Sequence, residues 1–228
     1  MASLLQKAFL KLVSLDPRLE RLVRYRNPRK YWQERGGEHY FNEQEAVYHR
    51  TRRSRFIGEE VNRLSYRSLL EIGCGYGKQL DNFITRGIFL VGCDFSHPQL
   101  LKARDYLSGA APPLIEADAA RLPFGDKTFD VVLSSAVILH NEYEKAKRIL
   151  AEMIRVGRKY LVYNEDTDVT FSRFGYDLKK THEKMNLKIL ISREIPVAPH
   201  PSMTQFTIVE LPPEPIEIPA GEIPLTYH

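Results

Sequence analysis

Cysteine is scarce in this chain: Cys74 and Cys93 are the only two among 228 residues. One pair cannot build a disulfide framework, so a reducing, cytoplasmic setting fits best. Histidines at ligand spacing do not accompany them, so no metal site is read there, and small buried apolar residues describe both thiols. Long apolar runs are also absent; none approaches the ~20 residues that cross a bilayer. The stretch Leu4 to Leu15 is broken by Lys7 and Lys11 and lacks a small-residue cleavage site, which argues against a secretory signal. No internal repeat occurs.

What the chain does have is 43% hydrophobic and 11% aromatic residues, enough for one substantial core plus extensions. Its net charge of +4 hides an uneven spread. Met1 to Arg35 carries nine Lys or Arg against three Asp or Glu. Glu210 to His228 has four glutamates, no Lys or Arg, and prolines at 212, 213, 215, 219 and 224, which predicts an extended tail poor in helix. Three segments follow: a basic helical arm and lid over 1–42, a central domain over 43–211, and a proline-rich tail over 212–228.

Within the arm, Leu4, Leu5, Ala8, Phe9, Leu12 and Val13 recur at helical spacing opposite Lys7 and Lys11, an amphipathic helix. Folding back on its own domain is the favoured reading; contact with a membrane surface, nucleic acid or a partner chain stays open. Tyr31 to Tyr40 joins aromatics to a Gly-Gly pair and suits a lid as well as simple packing. Glu43 to Leu64 reads as a long helix whose Arg50, Arg52, Arg53 and Arg55 are either solvated or supply one guanidinium to a ligand carboxylate.

The central motif is Ser68-Leu-Leu-Glu-Ile-Gly-Cys-Gly-Tyr-Gly77, a buried strand running into a glycine turn. Bare backbone at Gly73, Gly75 and Gly77 lets a ligand come close, and Lys78 to Thr85 can start a helix whose N-terminal amides face it. A second strand, Ile88 to Cys93, ends at Asp94, where a carboxylate can accept from both hydroxyls of a ribose. Leu114 to Phe124 holds a third strand and an acidic loop, and Phe129 to Ser135 a fourth. The glycine spacing is G-x-G-x-G, not the G-x-G-x-x-G of dinucleotide-binding loops, which weakens an NAD-dependent oxidoreductase reading. Beyond these, Asn141 to Val156 and Tyr176 to Met185 read as helices, and Tyr160 to Tyr163, Leu187 to Ile195 and Phe206 to Leu211 as strands five to seven.

Four features in one order resemble the class I S-adenosylmethionine-dependent methyltransferases: the glutamate before the first glycine, Asp94, Ala117-Asp118-Ala119, and Phe129-Asp130-Val-Val. They cover about Arg67 to Asn164. The resemblance implies an α/β fold, three layers with a doubly wound, seven-stranded, mostly parallel sheet whose last strand is reversed, here with an N-terminal helical extension. It implies S-adenosyl-L-methionine as cofactor and S-adenosyl-L-homocysteine as product. Glu71, Gly73, Cys74, Gly75 and Gly77 would shape the pocket for the methionine part, and Asp94 would hold the ribose. Asp118 and Ala119 would meet the adenine, Phe95 would pack on its ring, and Ser134 and Ser135 would lie beneath the sulfonium.

Alignment of acceptor, methyl and sulfur dominates such a reaction. Where the acceptor is a hydroxyl or protonated amine a base helps, and His140 is the first candidate, with Tyr143 and Asn164 beside it to orient the acceptor. Glu165 and Asp166 share that sheet edge and are further candidates to orient the acceptor; Asn164-Glu-Asp166 is also a candidate divalent-metal site, but it lacks the spread of acidic ligands known from metal-dependent catechol methyltransferases. The strand-four sequence Ser-Ser-Ala-Val differs from the Asn/Asp-Pro-Pro-Tyr/Phe motif of enzymes that methylate adenine or glutamine amides. Leu122 to Asp130 resembles the branch acting on small molecules, so transfer to an O or N atom of a small acceptor, by a monomer or homodimer, is the leading reading. An RNA or protein acceptor using the basic arm, and a non-catalytic binding module on the same fold, are the alternatives.

Overall fold

The computed structural model describes residues 28–45 except 39 and 43, residues 53–196 except 168, 171 and 172, and residues 203–227 except 215 and 217. The expected helix at Leu4 to Val13, with its membrane and nucleic-acid readings, lies outside the described residues, as do Arg50 and Arg52. No described helix is long and apolar enough to cross a membrane.

Strand β1 (Ser68–Ile72) is buried along its whole length, because the chain covers it on both faces. Its neighbours are β2 (Phe89–Asp94) and β4 (Phe129–Ser135), both parallel to it. With β3 (Leu114–Glu116), β5 (Gly157–Asp166), β8 (Lys188–Pro196) and β9 (Met203–Glu210), the sheet order is β3-β2-β1-β4-β5-β9-β8. The last strand, β9, runs antiparallel between β5 and β8, the reversal the resemblance implied. A two-residue hairpin, β6 (Val169–Thr170) with β7 (Arg173–Phe174), stands apart from the sheet.

Alternation along each central strand feeds two cores. Leu69, Val131, Leu133 and Val162 pack with Ile57 and Val61 of α2 (Arg53–Val61) and Leu100 of α3 (His97–Tyr106). Leu70, Ile72, Val132, Leu161 and Tyr163 pack with Ile149, Leu150 and Met153 of α4 (Tyr143–Val156) and Leu178 of α5 (Leu178–Lys184). Helix α1 (Pro28–Arg35) precedes all of these. Asp130 of the fourth-strand motif is buried at the opposite end of the sheet from the glycine turn, where its carboxylate accepts from the Arg67 amide (2.8 Å) and Arg158 (2.7 Å).

Two local expectations change. The segment after the glycine turn is not an α-helix; it forms 3₁₀ turns at Leu80–Asn82 and Ile84–Arg86 and ends at left-handed Gly87. Leu80 and Phe83, both fully buried, are three residues apart, the repeat of a 3₁₀ turn, and the Asn82 carboxamide is held by the Ser54 carbonyl at 3.2 Å. No α-helix dipole therefore points at the turn. The tail is extended, with one 3₁₀ turn at Ala220–Glu222, but it is packed: Ile223 and Leu225 are buried, Lys147 donates to the Gly221 carbonyl (3.3 Å), and the Asp177 amide donates to Thr226 (2.8 Å).

His182 of α5 is fully buried. Its Nδ1 lies 2.6 Å from the Leu178 carbonyl and must carry the proton, so Nε2 accepts from the Tyr163 hydroxyl at 3.1 Å. Burial pushes the imidazole from 6.5 down to about 4. The unfolded chain then binds more protons than the folded one between those values, so stability falls as pH drops from 6.5 toward 4. Relative to His182→Asn, the wild type should lose about 2–3 kcal/mol of urea-unfolding free energy between pH 7 and pH 4.5. Equal pH dependence in both proteins would exclude this origin.

Candidate functional site

Above the carboxyl ends of β1, β2, β3 and β4 lies a cavity of about 300 Å³, where open α/β sheets place ligands. Gly73, Gly75, Asp94, Phe95, Asp118 and Ala119 line one part of it. Ser135, Ala136, Val137, His140 and Asn141 line another, and Trp32 and Tyr40 reach it from the N-terminal segment.

The glycine turn is fixed by backbone bonds to β2: the Cys74 amide donates to the Cys93 carbonyl (2.9 Å), and the Gly75 amide to Asp94 Oδ2 (3.0 Å). Asp94 Oδ1 accepts from the Ser96 amide at 2.8 Å. The side chain is 8% exposed, and burial raises its carboxyl to about 6 against the lowering effect of those amides. Each oxygen keeps lone-pair capacity beyond these single bonds. At Gly75, with φ +54, an added Cβ would meet nothing within 4 Å, so the backbone there is bare toward open space.

On the third-strand loop, Asp118 Oδ1 accepts from the Ala120 amide (3.0 Å) while Oδ2 pairs with Lys145 (3.1 Å), whose ammonium also stands 5.8 Å from the Phe95 ring centroid. On the other wall His140 ends a 3₁₀ turn, Ile138–His140, and its ring meets Trp32 edge-on at 5.4 Å. Trp32 also meets Tyr40 at 5.4 Å, and its carbonyl accepts from Ser96 Oγ at 3.1 Å. Phe41 packs on Tyr76 and Tyr106, and Lys78 pairs with Glu45 at 2.8 Å, so the segment after α1 is laid over the glycine turn.

Eight of the fourteen expected site residues thus share this cavity: Gly73, Gly75, Asp94, Phe95, Asp118, Ala119, Ser135 and His140. Six do not line it. Glu71 lies buried beneath the turn, its Oε2 without a hydrogen-bond partner among the described residues and its carboxyl pushed well upward by burial and by Asp94. The Cys74 thiol is buried, and burial likewise pushes it upward. Gly77, at φ +87, admits Leu107, whose Cδ1 would lie 2.9 Å from an added Cβ. The Ser134 hydroxyl turns to Glu165 at 2.6 Å, away from any position beneath a ligand in the cavity. Asn164 is fully buried and donates to Ser135 Oγ at 3.1 Å. The Tyr143 hydroxyl donates to the Leu225 carbonyl at 3.1 Å, under the tail.

Of the arginines expected near a ligand carboxylate, Arg53 and Arg55 are placed elsewhere as well. Arg53 meets Asp166 (3.5 Å) and Thr204 (3.2 Å), and exposed Arg55 pairs with Glu59 at 2.8 Å. Residues the sequence reading passed over include Ser96, Gln99, Ala136, Val137, Asn141 and Lys145. Lys145 was detectable in principle, being one turn before Ile149 of the apolar α4 stripe; left-handed Ala136, at φ +57, leaves no compositional sign. Among the described residues no group of three or more His, Cys, Asp or Glu is placed to hold a metal ion.

The two cavity glycines separate backbone strain from steric contact. At Gly73, φ +59, an added Cβ would fall 2.4 Å from Val137 Cγ2, whereas at Gly75 it meets open space. Gly75→Ala should cost about 1–2 kcal/mol from the left-handed backbone alone, and Gly73→Ala a further ~1–3 kcal/mol from overpacking. Denaturant midpoints in the reverse order would refute this geometry.

Residues 70–160 match the family model described as a methyltransferase domain. The chain is 38% identical over 95 residues to phosphatidylethanolamine N-methyltransferase of Cereibacter sphaeroides, covering 40% of this chain and 45% of that protein. It is 29% identical over 145 residues to tRNA (carboxymethyluridine(34)-5-O)-methyltransferase of Saccharomyces cerevisiae, covering 60% of this chain and 48% of that one. Across the curated relatives it spans between 20% and 48% of their length. Its fold is similar to magnesium protoporphyrin IX methyltransferase of Synechocystis PCC 6803, solved with bound SAH, with a TM-score of 0.63 at 13% identity over 80% of this chain and 98% of that one. The sheet order, the reversed β9 and the motif-bearing strand ends thus accompany a methyltransferase-domain match over residues 70–160, and the fold is that of its Rossmann-like, class I structural neighbours.

Proposed function

We propose that the protein is an S-adenosylmethionine-dependent methyltransferase that moves a methyl group to an O or N atom of a small-molecule acceptor. The observation that carries this is Asp94, a buried carboxylate at the end of β2 whose two oxygens each take one backbone amide and face a cavity bordered by the bare Gly75 backbone. The residues present fit the cofactor: an acceptor pair for two ribose hydroxyls, a glycine turn whose Gly75 backbone is bare toward open space, and a loop with Asp118, Ala119 and Phe95 for a purine.

The cofactor, when bound, supplies a methyl group on a sulfonium that is a good leaving group. Asp94 holds the ribose; Gly73 and Gly75 let the backbone approach the methionine part. Asp118 and the Ala119 backbone orient the adenine, with Phe95 on its ring. Ser135 and His140 stand on the acceptor wall, and His140 takes the proton that a hydroxyl or ammonium acceptor gives up. Trp32 and Tyr40 exclude water from above. Tyr143 and Asn164, engaged with the tail and with Ser135, have no direct part in this scheme.

The cavity of about 300 Å³ lined by Trp32 and Tyr40 supports a small acceptor. An RNA acceptor is the second reading, favoured by relatives that act on tRNA. RNA binding that falls by about 10³-fold or more between 50 and 200 mM salt would move that reading ahead.

Trp32 is the only tryptophan and lines the cavity, so its emission reports occupancy directly. S-adenosylmethionine should change that emission and bind calorimetrically, NAD should do neither, and Asp94→Ala should weaken binding at least about tenfold, ~1.4 kcal/mol. Since burial raises Asp94 to about 6, the hydroxyl-accepting carboxylate is present above that pH; affinity should fall as pH drops through 6, and Asp94→Asn should lose this step. Folded wild-type protein that ignores the cofactor would end the enzymatic reading and leave a binding module.

A further inference from the structure

Strand β5 overreaches β4 at the carboxyl edge of the sheet. Ser135, the last residue of β4, pairs in register with Asn164, and β5 continues through Glu165 and Asp166. Past Ser135 the chain turns sharply through left-handed Ala136 (φ +57) and enters the 3₁₀ turn ending at His140. That crossover is the acceptor-side wall of the cavity, contributing Ser135, Ala136, Val137 and His140.

Asn164, the last β5 residue in register, and Glu165, the first beyond it, take hold of it. The Asn164 carbonyl accepts from the Ala136 amide at 3.0 Å. Glu165, 1% exposed, accepts from Ser134 Oγ at 2.6 Å, from the Val137 amide at 3.1 Å and from the Leu139 amide at 3.2 Å. A 3₁₀ turn leaves its first amides without internal partners, and a buried amide left unpaired costs as much as a lost hydrogen bond. One carboxylate answers that need for the whole turn, and its own burial is tolerated because these donors converge on it. No donor in this group is a cation. A glutamine can keep its oxygen on the Val137 and Leu139 amides and give its NH₂ to the Ser134 hydroxyl, which accepts as well as donates, so only removal of the side chain, as in Glu165→Ala, empties the cradle.

We infer that Glu165 is the positioning residue of the acceptor-side wall: it sets the turn that carries Val137 and His140 without itself touching cofactor or acceptor. This rests on reading the cavity as the methyl-transfer site, and it corrects the expectation that Glu165 orients the acceptor directly. A carboxylate whose ring of donors comes from one turn gives that turn a single conformation, and with it one place for the His140 ring against Trp32.

The test is amide hydrogen exchange on the full chain, wild type against Glu165→Ala, with S-adenosylhomocysteine titrated into both and Trp32 emission recorded. The expected result is exchange at Val137 and Leu139 faster by about tenfold or more, unchanged exchange in β8 and β9, S-adenosylhomocysteine affinity weakened several-fold, and an altered Trp32 spectrum. Unchanged exchange at Val137 and Leu139 overturns the inference. So does a uniform rise at all amides, which would make Glu165 an ordinary stabilising residue. Should Glu165→Ala not fold, Ser134→Ala removes one donor only: a smaller rise confined to 136–140 supports the cradle, and no local change overturns it. Failure of wild-type protein to bind S-adenosylhomocysteine would count against the methyl-transfer reading alone, since the exchange comparison needs no ligand.

Discussion

A strand buried on both faces has room for polar side chains only at its ends, and the rest of this structure follows from that constraint. β1, β2, β4 and β5 form the middle of the sheet, with helices on one side and the other. Their buried interiors are Leu, Val and Gly, with Tyr163, whose hydroxyl is bonded to His182, the polar exception; their carboxyl ends are Glu71-Ile72, Cys93-Asp94, Ser134-Ser135 and Asn164-Glu165-Asp166. Because the strands are parallel, those ends fall along one edge. The chemistry is therefore gathered by topology before any side-chain contact is considered, and residues from 71 to 166 meet around one cavity or directly behind it.

Gathering acids at a dry edge has an electrostatic consequence. Burial raises Asp94 to about 6 and Glu165 to about 7, and pushes Glu71 well upward with help from Asp94. Among the described residues no arginine or lysine is set against Asp94 or Glu165; each is met chiefly by backbone amides, joined at Glu165 by a serine hydroxyl. A salt bridge would have neutralised Asp94 and used the lone pairs a ligand needs, whereas one amide on each oxygen leaves them in place. Where no ligand is expected the chain does the opposite: Asp166 is met by Arg53 and Arg173, and Asp130 by Arg158 and Lys159. The kind of partner given to a buried carboxylate thus separates cavity from scaffold.

The central strands and the cavity residues at or just past their ends were legible in the sequence because each is written in adjacent residues: an apolar run, then glycine or acid. Asp94 is of this kind; Asp118 and His140 lie in the segments that follow their strands, and the reversed strand was legible only through the family resemblance. What escaped depends on contacts distant in sequence. Nothing near Tyr143 announces that Leu225 will take its hydroxyl, and nothing near Ser134 that Glu165 will turn it away. The failure at Lys78 to Thr85 has the same cause: helical in pattern, the segment is held as 3₁₀ turns by burial of Leu80 and Phe83 and by the Asn82 bonds to α2. Serine, asparagine and glutamate at a strand end read alike whether they face a ligand or a loop, and only the turn at Ala136 decides.

The division of labour between shared and particular parts of the chain follows from the same geometry. Every cavity residue on the Asp94 side, and the whole turn from Ser135 to Asn141, falls within the matched domain of residues 70–160. Trp32 and Tyr40 do not. They belong to a segment held over the glycine turn by aromatic edges and by the Ser96 bond to the Trp32 carbonyl. A fold reused with lipid, RNA and porphyrin methyltransferases cannot carry acceptor choice in its common half. What this chain adds at the cavity outside that common half is one indole and one phenol, rigid groups that border the remaining space.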